Sequence, residues 1–487
     1  MPKIPSRPVP TAWYGLATVL AVAGCAGEPR PSADPEAVFS RLSPGIVLST
    51  EEPPAWSLAE RMERASAPAV VVTLVDSSGL AWTHAAGVLR AGSEGAVRAQ
   101  TRFPVKSLSK PVTAFAALRL VDQGVLDLDA PLDTYLERWS VPDNEFTRAT
   151  APTLRHLLAH RAGFTMWGVP SYAPGEPRPT LAEILHGDVP EDYAPVTIDF
   201  EPGTDSRYSG GGYSVLQLLL EDVTRESFPN LMRRLVLDPI GMEHSLFHPG
   251  VPDSLADETA AGHEDGEPRP HWDALVQMAA GGLLSTAPDM GRFVAEVNRA
   301  ARGASGLLST ELAREMLHDQ GAGRGLGFEV EGTGDALAFS HTGSGDGFRT
   351  LLLGLPARSE GLVVFVSSDD PRSGELRHEI VRAAALVAGW PGLGPEVRAV
   401  ADVDPAWLDR LAGRYEYSDG SVTTVSASAG GLHAAWGDAD PVRIFPSDSL
   451  RWFTRSGERF TFEAEEGSAS ALEWSGSFGA FRAQRLP

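Results

Sequence analysis

The sequence is poor in cysteine, in basic charge and in lysine, and each shortage is informative. With one cysteine among 487 residues, the chain cannot form an intramolecular disulfide. Acidic residues outnumber Lys and Arg by 64 to 41, which gives a formal net charge of −23 at pH 7. Binding to nucleic acid needs a basic face, so this balance argues against a nucleic-acid partner. The charge by itself identifies no substrate.

The shortage of lysine singles out one stretch of the chain. Only three of the 41 basic residues are lysines, namely Lys3, Lys106 and Lys110, because the sequence otherwise uses arginine. Arginine cannot lose its proton in a protein, whereas a lysine removed from water can. Lys110 is therefore a candidate general base.

Lys110 follows a serine by three positions at the start of an apolar run. The apolar residues of 112–121 recur with helical spacing, which predicts a buried helix that begins near Ser107. Residues three apart share one face of a helix, so the Lys110 amine lies within reach of the Ser107 hydroxyl. Ser107 would lie at the positive end of this helix, which suits a nucleophile that passes through an anionic intermediate.

Long hydrophobic runs are also scarce, and the one candidate lies at the N-terminus. The apolar run at 13–24 follows Lys3 and Arg7, is short for a membrane span and ends in small residues, as signal peptides do. The stretch Leu20–Cys25 resembles a bacterial lipobox. This resemblance implies that residues 1–24 are removed and that Cys25 is lipidated. An ordinary secretory signal that leaves a free thiol is the alternative.

Lipidation of Cys25 would decide where the protein resides. More than one acyl chain on that cysteine anchors a protein stably to a membrane. Ala26 follows the cysteine where aspartate would stand in lipoproteins retained at the inner membrane, a resemblance that implies outer-membrane sorting. We expect an exported protein that is lipid-anchored in the bacterial cell envelope, at the outer membrane and facing the periplasm.

Shifts in composition divide the remaining chain. Residues 25–52, which begin with the lipidated cysteine, are polar and proline-rich and are predicted to be a tether. A main domain over 53–390 follows, and residues 391–403 form a linker. Residues 404–487 show short alternating strands with turn signals about every ten residues, which predicts a small antiparallel barrel or sandwich. Within the main domain, Asp346-Gly347 predicts the turn of a hairpin.

Three short motifs occur in order along the main domain. They are Ser107-x-x-Lys110, Tyr208-Ser209-Gly210 and His341-Thr342-Gly343. Their order and spacing resemble the serine β-lactamase and penicillin-binding-protein superfamily, particularly the class C β-lactamase-related serine hydrolases of the esterase and D-aminopeptidase branch. Other stretches that resemble landmarks of this branch are 157–163, 201–203, 237–242 and 280–283.

This resemblance covers about residues 55–390 and implies the fold. It implies an α+β domain in which an antiparallel sheet is flanked by helices and carries an all-helical subdomain. The segment at 411–415 resembles the lipocalin-like barrel often appended to such enzymes, so a small C-terminal antiparallel β-barrel is expected there.

The resemblance also assigns chemical roles. Ser107 would attack a carbonyl and form an acyl-enzyme that water then hydrolyses. Lys110 and Tyr208 would share the proton transfer, each with a pKa lowered by the other and by burial, and the sequence does not decide which is the principal base. The oxyanion would be held by the backbone N–H groups of Ser107 and of Ser344, which follows the third motif on an edge strand.

Two motif positions depart from the pattern of the superfamily. Gly210 stands where an asparagine is usual, and two more glycines follow, so we expect a permissive and roomier loop at 210–212. His341 stands where a lysine is usual, and as a mostly neutral side chain at pH 7 it is a weaker anchor for a carboxylate. Both changes disfavour β-lactam and peptidoglycan-peptide recognition while leaving the nucleophile and the base intact.

His156 and His160 invite a metal-site interpretation because they lie four residues apart on a predicted helix. The zincin motif needs a glutamate after the first histidine, and Leu157 stands there instead. We therefore expect structural roles for both histidines and infer no metal and no organic cofactor. No G-x-S-x-G motif occurs, which argues against an α/β-hydrolase.

The expected function is that of a serine hydrolase acting through an acyl-enzyme on an ester or amide bond in the cell envelope. Short acyl esters, D-amino-acid peptides and β-lactam-like molecules are the substrate classes. A catalytically silent envelope binding protein that retains the fold is one alternative, and a peptidoglycan DD-carboxypeptidase is another. The expected partners are a small-molecule or peptide substrate and the membrane, through Cys25, and no obligate protein partner is inferred.

Overall fold

The computed structural model describes residues 33–166, 172, 176–189, 194–269, 275–428, 431–437, 439–464, 467–476 and 479–486. The predicted signal peptide at 1–24, Cys25 and the first part of the predicted tether lie outside the described residues. Among the helices of the described ranges, none is both long enough and apolar enough to cross a membrane.

The helices vary in length, from three to 18 residues. In chain order they are α1 (Pro35–Phe39), α2 (Leu58–Arg64), α3 (Ser109–Asp122), α4 (Glu145–Ala149), α5 (Leu154–Leu158), α6 (Leu181–His186), α7 (Gly210–Thr224), α8 (Phe228–Met232), α9 (Asp238–Ile240), α10 (Met278–Gly281), α11 (Ala287–Ala301), α12 (Thr310–Met316), α13 (Pro371–Ala388) and α14 (Ala406–Leu411). A 3₁₀ turn at Lys106–Leu108 directly precedes α3.

Within the described residues, thirteen strands precede the C-terminal barrel. They are β1 (Ile46–Leu48), β2 (Ala69–Asp76), β3 (Gly79–Gly87), β4 (Phe103–Pro104), β5 (Leu246–Phe247), β6 (His263–Glu264), β7 (Glu267–Pro268), β8 (Leu283–Ser285), β9 (Glu329–Glu331), β10 (Ala338–Gly345), β11 (Phe348–Leu355), β12 (Glu360–Val366) and β13 (Glu396–Arg398). Six of them form the central antiparallel sheet in the order β3-β2-β12-β11-β10-β9. A small three-stranded sheet has the order β4-β8-β5.

Strand β2 shows why the sequence builds a covered sheet. Its residues are almost continuously apolar rather than alternating. Val70 and Val72 pack in the same core as residues of α13, whereas Val71 and Val75 pack in the core on the opposite face with α11. A strand that is buried on both faces needs apolar side chains at successive positions. The sheet is therefore a middle layer between helices, and the α+β fold predicted from the motifs is confirmed.

The helical part of the domain is organised around α3 and α7. Nearly every residue of α3 is buried, as the apolar run predicts. Helix α10 packs against both α3 and α7, and α7 also packs against α5 and α8. The apolar run predicts a helix that begins near Ser107. In the structure this helix is α3, which begins at Ser109, and Ser107 lies in the 3₁₀ turn before it. This arrangement brings the N-terminal end of α3 against the end of the central sheet.

The C-terminal domain is a closed antiparallel barrel of eight strands, as the sequence predicts. Its strands are β14 (Gly413–Glu416), β15 (Val422–Ser428), β16 (Gly431–Trp436), β17 (Val442–Pro446), β18 (Arg451–Phe453), β19 (Arg459–Glu463), β20 (Ala471–Gly476) and β21 (Gly479–Arg485). Alternate residues such as Leu432 and Ala434 point into the core of the barrel and are fully buried.

The prediction of a tether over 25–52 needs correction for residues 33–52. Helix α1 packs against α13, and β1 pairs in parallel with β13, which lies in the predicted linker 391–403. Ile46 and Leu48 bury their side chains against Phe445 and Phe453 of the barrel. The proline-rich composition concealed these few apolar residues, which are enough to attach the segment to the folded body. The N-terminal segment and the linker therefore join the barrel to the main domain.

Candidate active site

The turn that carries Ser107 is held from several sides. The backbone N–H of Val105 donates to the carbonyl of Leu283 at 3.0 Å, and the Ser109 hydroxyl donates to the carbonyl of Lys106 at 2.6 Å. Leu283 N–H in turn donates to the Ser109 hydroxyl at 3.0 Å. Lys106 has a φ of 54°, a left-handed conformation that costs a residue with a Cβ about 1–2 kcal/mol. The surrounding bonds thus fix a strained turn immediately before the serine.

The amine of Lys110 lies beside the hydroxyl of Ser107, as the sequence spacing predicts. The distance from Lys110 Nζ to Ser107 Oγ is 3.1 Å, and the same nitrogen donates to the carbonyl of Ala280 at 2.7 Å. The side chain is buried, and burial lowers the pKa of Lys110 to about 7. A substantial fraction of this amine is therefore neutral at neutral pH and can accept a proton from Ser107.

Tyr208 also reaches the serine. Its phenol forms a side-chain hydrogen bond with Ser107, and its ring centroid lies 4.8 Å from Lys110 Nζ. The expectation that the pKa of Tyr208 is lowered is wrong, because burial raises it well above its ordinary value and outweighs the hydrogen bond to Ser107. Burial disfavours whichever form carries charge, so it lowers the pKa of the lysine and raises that of the tyrosine. Tyr208 is consequently a proton donor at neutral pH, and Lys110 is the better base.

His160 is a member of the site that the sequence treated as structural. Its ring lies between two tyrosines, with centroid distances of 4.5 Å to Tyr208 and 5.2 Å to Tyr213. The backbone N–H of Ser209 donates to His160 Nδ1 at 3.2 Å, which makes Nδ1 the acceptor. Burial, together with the charge of Lys110, lowers the pKa of His160 well below its ordinary value. His160 is thus a neutral support that orients Tyr208 and the backbone that follows it.

The segment at 210–212 is the first turn of α7 and not the roomy loop that the sequence suggested. The Ser209 hydroxyl caps this helix by accepting from Gly212 N–H at 2.9 Å, and Gly210 is buried. A Cβ at Gly211 would lie 2.7 Å from the carbonyl oxygen of Thr165, so the backbone there needs glycine for close packing. The glycines that looked permissive in sequence therefore serve the packing of a helix end.

The third motif lies on β10, next to the nucleophile turn. A Cβ at Gly343 would lie 2.4 Å from the carbonyl oxygen of Val105, so only glycine allows the strand to approach the turn so closely. Thr342 is half-buried and Ser344 is exposed, and β9 pairs with β10 only at residues 338–340. Beyond that point the β9 side of β10 has no strand partner among the described residues. The structure therefore places Ser344 and the preceding motif on β10, beside the turn that carries Ser107. Strand β10 is second from the edge and not the edge strand that was expected, although among the described residues its end at Ser344 is unpaired on the β9 side.

His341 points into the same region, with its ring centroid 6.2 Å from that of Tyr208. Its Nδ1 lies 2.7 Å from the carbonyl oxygen of Thr342, an acceptor, so Nδ1 carries the proton. Burial, followed by the charge of Lys110, lowers the pKa of His341 to about 3. His341 is hence neutral throughout the physiological pH range and provides no positive charge for a carboxylate.

Arg324 is a second contributor that the motifs did not reveal. Burial is the largest influence on the pKa of Tyr208, His160 and His341, and the positive charge of Arg324 acts on all three. It adds to the lowering of the pKa of the two histidines and partly offsets the raising of the pKa of Tyr208. The guanidinium is partly exposed and forms an ion pair with Glu329 at 2.9 Å. The site thus combines a buried interior with an ion pair at its edge.

A comparison with known protein families shows the family of this chain. The sequence model of the beta-lactamase family matches residues 57–386, more than half of the chain. The chain belongs to the beta-lactamase family. This membership confirms the resemblance drawn from the three motifs.

Individual relatives within this family have several activities. The chain is 32% identical to penicillin-binding protein 4 of Amycolatopsis lactamdurans over 43% of this chain and 54% of that protein. It is 29% identical to esterase EstB of Burkholderia gladioli over 36% of this chain and 44% of the esterase. A D-aminopeptidase of Brucella anthropi is 24% identical over 55% of this chain and 50% of that protein. The matches span about half the length of these relatives, and they support the prediction of a serine hydrolase.

Solved structures share the fold over a wider part of the chain. An octameric penicillin-binding protein homologue from Pyrococcus abyssi superposes with a TM-score of 0.59 at 20% identity, covering 87% of this chain and 98% of that one. The crystal structure of SurE gives a TM-score of 0.56 at 23% identity, covering 88% of this chain and 97% of that one. At these identities the likeness establishes the fold alone.

Three residues of the site were overlooked, and the sequence held a signal for two of them. His160 lies within 157–163 and Ala280 within 280–283, two stretches that resemble family landmarks. Those stretches indicated that His160 and Ala280 lie near the site, where they contact Tyr208 and Lys110 respectively. Arg324 lies in no such stretch, and only the folded arrangement shows that its charge reaches the site.

Proposed function

We propose that the protein is a serine hydrolase that cleaves an ester or amide bond through an acyl-enzyme on Ser107. The single observation that carries this proposal is the buried Lys110 amine, 3.1 Å from Ser107 Oγ and with its pKa lowered to about 7. A serine hydroxyl is a weak nucleophile until a base removes its proton. A neutral amine in hydrogen-bond contact with the hydroxyl supplies that base at neutral pH.

Each step of the proposed reaction is assigned to one group of the site. As Ser107 Oγ attacks the carbonyl carbon, its proton passes to the neutral Lys110 amine. The carbonyl oxygen becomes negatively charged and is held by the backbone N–H groups of Ser107 and Ser344. When the bond to the leaving group breaks, the leaving oxygen or nitrogen takes a proton from the Tyr208 phenol, which is reprotonated from Lys110. Water then attacks the acyl-enzyme by the same route, releases the acid and restores Ser107.

The favoured substrates are short acyl esters and D-amino-acid peptides rather than β-lactams. Relatives named as an esterase and a D-aminopeptidase support these classes. Because His341 is neutral, the position that a lysine occupies elsewhere in the superfamily provides no charge for the carboxylate of a β-lactam. The same feature argues against a peptidoglycan DD-carboxypeptidase of the usual design.

The location in the cell envelope is a further part of the proposal. It is supported by the lipobox-like stretch that ends at Cys25 and by the apolar run before it. We propose that Cys25 is lipidated and anchors the enzyme to the outer membrane on its periplasmic side. Substitution Cys25→Ser in the full-length protein should move it from the membrane fraction to the soluble periplasmic fraction. If Cys25→Ser stays in the membrane fraction, the anchor lies elsewhere.

Turnover of a p-nitrophenyl ester separates the enzyme from a silent binding protein with the same fold. We expect the purified protein to release p-nitrophenol catalytically and Ser107→Ala to release it no faster than buffer. Equal rates for the two proteins would contradict the proposal. A parallel screen with nitrocefin and D-amino-acid amides would rank the substrate classes.

One observation favours a second candidate, the cleavage of D-amino-acid peptides that carry a free carboxylate. Arg324 places a positive charge that acts on Tyr208 and His341. A partly exposed guanidinium can bind a carboxylate with two parallel hydrogen bonds if it exchanges its partner Glu329 for the substrate. In this candidate Arg324 replaces the charge that the neutral His341 lacks.

A further inference from the structure

One buried lysine beside the active site has no part in the proton transfers described above. Lys106 directly precedes Ser107 and is 5% exposed. Its ammonium forms an ion pair with the carboxylate of Asp346, at the tip of the hairpin that joins β10 to β11. In a chain that otherwise uses arginine, two of its three lysines thus lie within three residues of the nucleophile.

The side chain of Lys106 lies along β10. A Cβ at Gly343 would be 3.3 Å from Lys106 Cβ, and a Cβ at Gly345 would be 4.0 Å from Lys106 Cε. Glycine at position 343 lets the aliphatic stem start close to the strand, and the stem then runs past Gly345 until the ammonium reaches Asp346. The stem therefore passes the position of Ser344, which lies between the two glycines.

The two residues connect the elements that carry the two proposed oxyanion donors. The turn at Lys106–Leu108 supplies the N–H of Ser107, and β10 supplies the N–H of Ser344. Beyond Ser340, β10 has β11 as its one strand neighbour among the described residues, because β9 ends its pairing there. That part of β10 is thus held by β11, by the Arg377 guanidinium, which donates to the carbonyl of Gly343 at 3.1 Å, and by the contact with Lys106.

The backbone conformation indicates that the side chain of Lys106 is needed. Glycine adopts a left-handed φ readily, yet this turn carries a lysine with a φ of 54°. Asp346 and Gly347 also have positive φ values, 49° and 81°, as a tight hairpin turn requires. Aspartate tolerates this conformation better than most residues, so the turn can present a carboxylate to Lys106.

We infer that the Lys106–Asp346 ion pair is a positioning device that fixes the spacing between the Ser107 and Ser344 halves of the oxyanion hole. Neither side chain is a catalytic residue, because each acts on the backbone donors and not on the substrate. A displacement of about 1 Å in such donors can cost about 10²-fold in rate. This inference rests on the proposed function, since it concerns the efficiency of the same site.

The hairpin has other supports, so removal of the ion pair should loosen it without unfolding the protein. His263 N–H donates to the carbonyl of Gly347 at 3.3 Å. A Cβ at Gly262 would lie 2.0 Å from the carbonyl oxygen of Asp346, which shows how closely this segment packs on the turn. Asn replaces Asp346 with little change in shape and also accepts a positive φ. Asp346→Asn therefore removes the charge and keeps the turn.

The test compares Asp346→Asn, Lys106→Met and the double variant with the wild-type protein in ester hydrolysis. The matched control is Glu51→Gln, which removes the carboxylate of another ion pair, with Arg455 in the barrel turn between β18 and β19. We expect each single variant to lose about 10- to 100-fold in kcat with KM within about threefold, because the oxyanion forms only in the transition state. Affinity for a boronic acid, whose tetrahedral adduct places an oxygen in the oxyanion hole, should fall by the same factor.

Two further readouts distinguish positioning from a general structural role. The double variant should lose no more kcat than either single variant, because each single substitution already removes the shared ion pair. Asp346→Asn removes the carboxylate that pairs with the buried Lys106 ammonium, so it should lower the melting temperature more than Lys106→Met or the double variant does. Glu51→Gln should keep its kcat. Unchanged kcat in both single variants, additive losses in the double variant, or an equal loss of kcat in Glu51→Gln would overturn the inference.

Failure of the proposed function would look different. It would show as equal turnover by the wild type and Ser107→Ala, and the ion-pair inference would fall with it. A rate that depends on Ser107 but not on Asp346 would overturn the positioning role alone.

Discussion

The Lys110 amine lies 3.1 Å from the Ser107 hydroxyl. Its other hydrogen-bond partner among the described residues is the carbonyl of Ala280. Neither partner is a carboxylate that would stabilise the ammonium form, so burial lowers the pKa of Lys110 to about 7. Lys110 can act as a base because α10 packs against α3 and buries the amine.

The first prediction concerns pH. Lys110 must be neutral to accept the proton of Ser107, and its lowered pKa is about 7. We therefore expect kcat/KM for a neutral ester to be low at pH 5, to rise with a midpoint near pH 7 and to level off above about pH 8. A profile that rises only above pH 10 would indicate the Tyr208 phenolate as the base and contradict this assignment.

The second prediction separates the charge of Lys110 from its basicity. Lys110→Arg keeps a positive charge but cannot give a neutral base, and Lys110→Met removes both. We expect both variants to lose at least about 10²-fold in kcat, since general base catalysis typically contributes about 10²–10⁴-fold. An active Lys110→Arg protein beside an inactive Lys110→Met protein would show that charge alone is needed.

The third prediction concerns the phenol of Tyr208. Tyr208→Phe keeps the ring that packs against His160 and removes the hydroxyl that bonds to Ser107. We expect kcat to fall by about 10²-fold, the lower range for loss of a general acid. The matched control is Tyr213→Phe, whose lost hydroxyl donates to the carbonyl of Leu158 at 3.2 Å.

Tyr213→Phe should lower stability by about 1–3 kcal/mol because it leaves a buried carbonyl without its donor. Its kcat should stay within about threefold of the wild type. Equal kcat losses in the two tyrosine variants would mean that the phenol of Tyr208 has only a structural role.

The fourth prediction tests the second candidate function. If Arg324 binds a substrate carboxylate, Arg324→Gln should raise KM about tenfold for a D-amino-acid peptide with a free C-terminus, which corresponds to about 1.4 kcal/mol. KM for the amidated peptide and for a neutral ester should not change. Equal effects on the free and amidated peptides would remove Arg324 from carboxylate recognition.

The sequence predicted the parts of this protein that depend on local patterns. The apolar run after Ser107, the Asp346-Gly347 turn and the alternating strands of the barrel each follow from periodicity or turn chemistry, and the structure contains all three. The motifs also predicted that Ser107, Lys110 and Tyr208 lie close together, and the structure shows these contacts. Their roles in catalysis stay predictions until they are measured.

What the sequence could not give depends on contacts between distant segments. The structured segment at 33–52 was hidden because a few apolar residues bury themselves only after the barrel and α13 are in place. The raised pKa of Tyr208 follows from the depth of its burial, which no motif reports. The pairing of Lys106 with Asp346 joins two elements far apart in the chain.

The central claim is that Ser107 is the nucleophile, and a covalent label tests it most directly. A fluorophosphonate reacts with an activated serine and adds a mass that peptide mapping can locate. We predict one adduct, on Ser107, formed by the wild type faster at pH 8 than at pH 5.5 and not formed by Ser107→Ala. An adduct on another serine, or equal labelling of Ser107→Ala, would contradict the account.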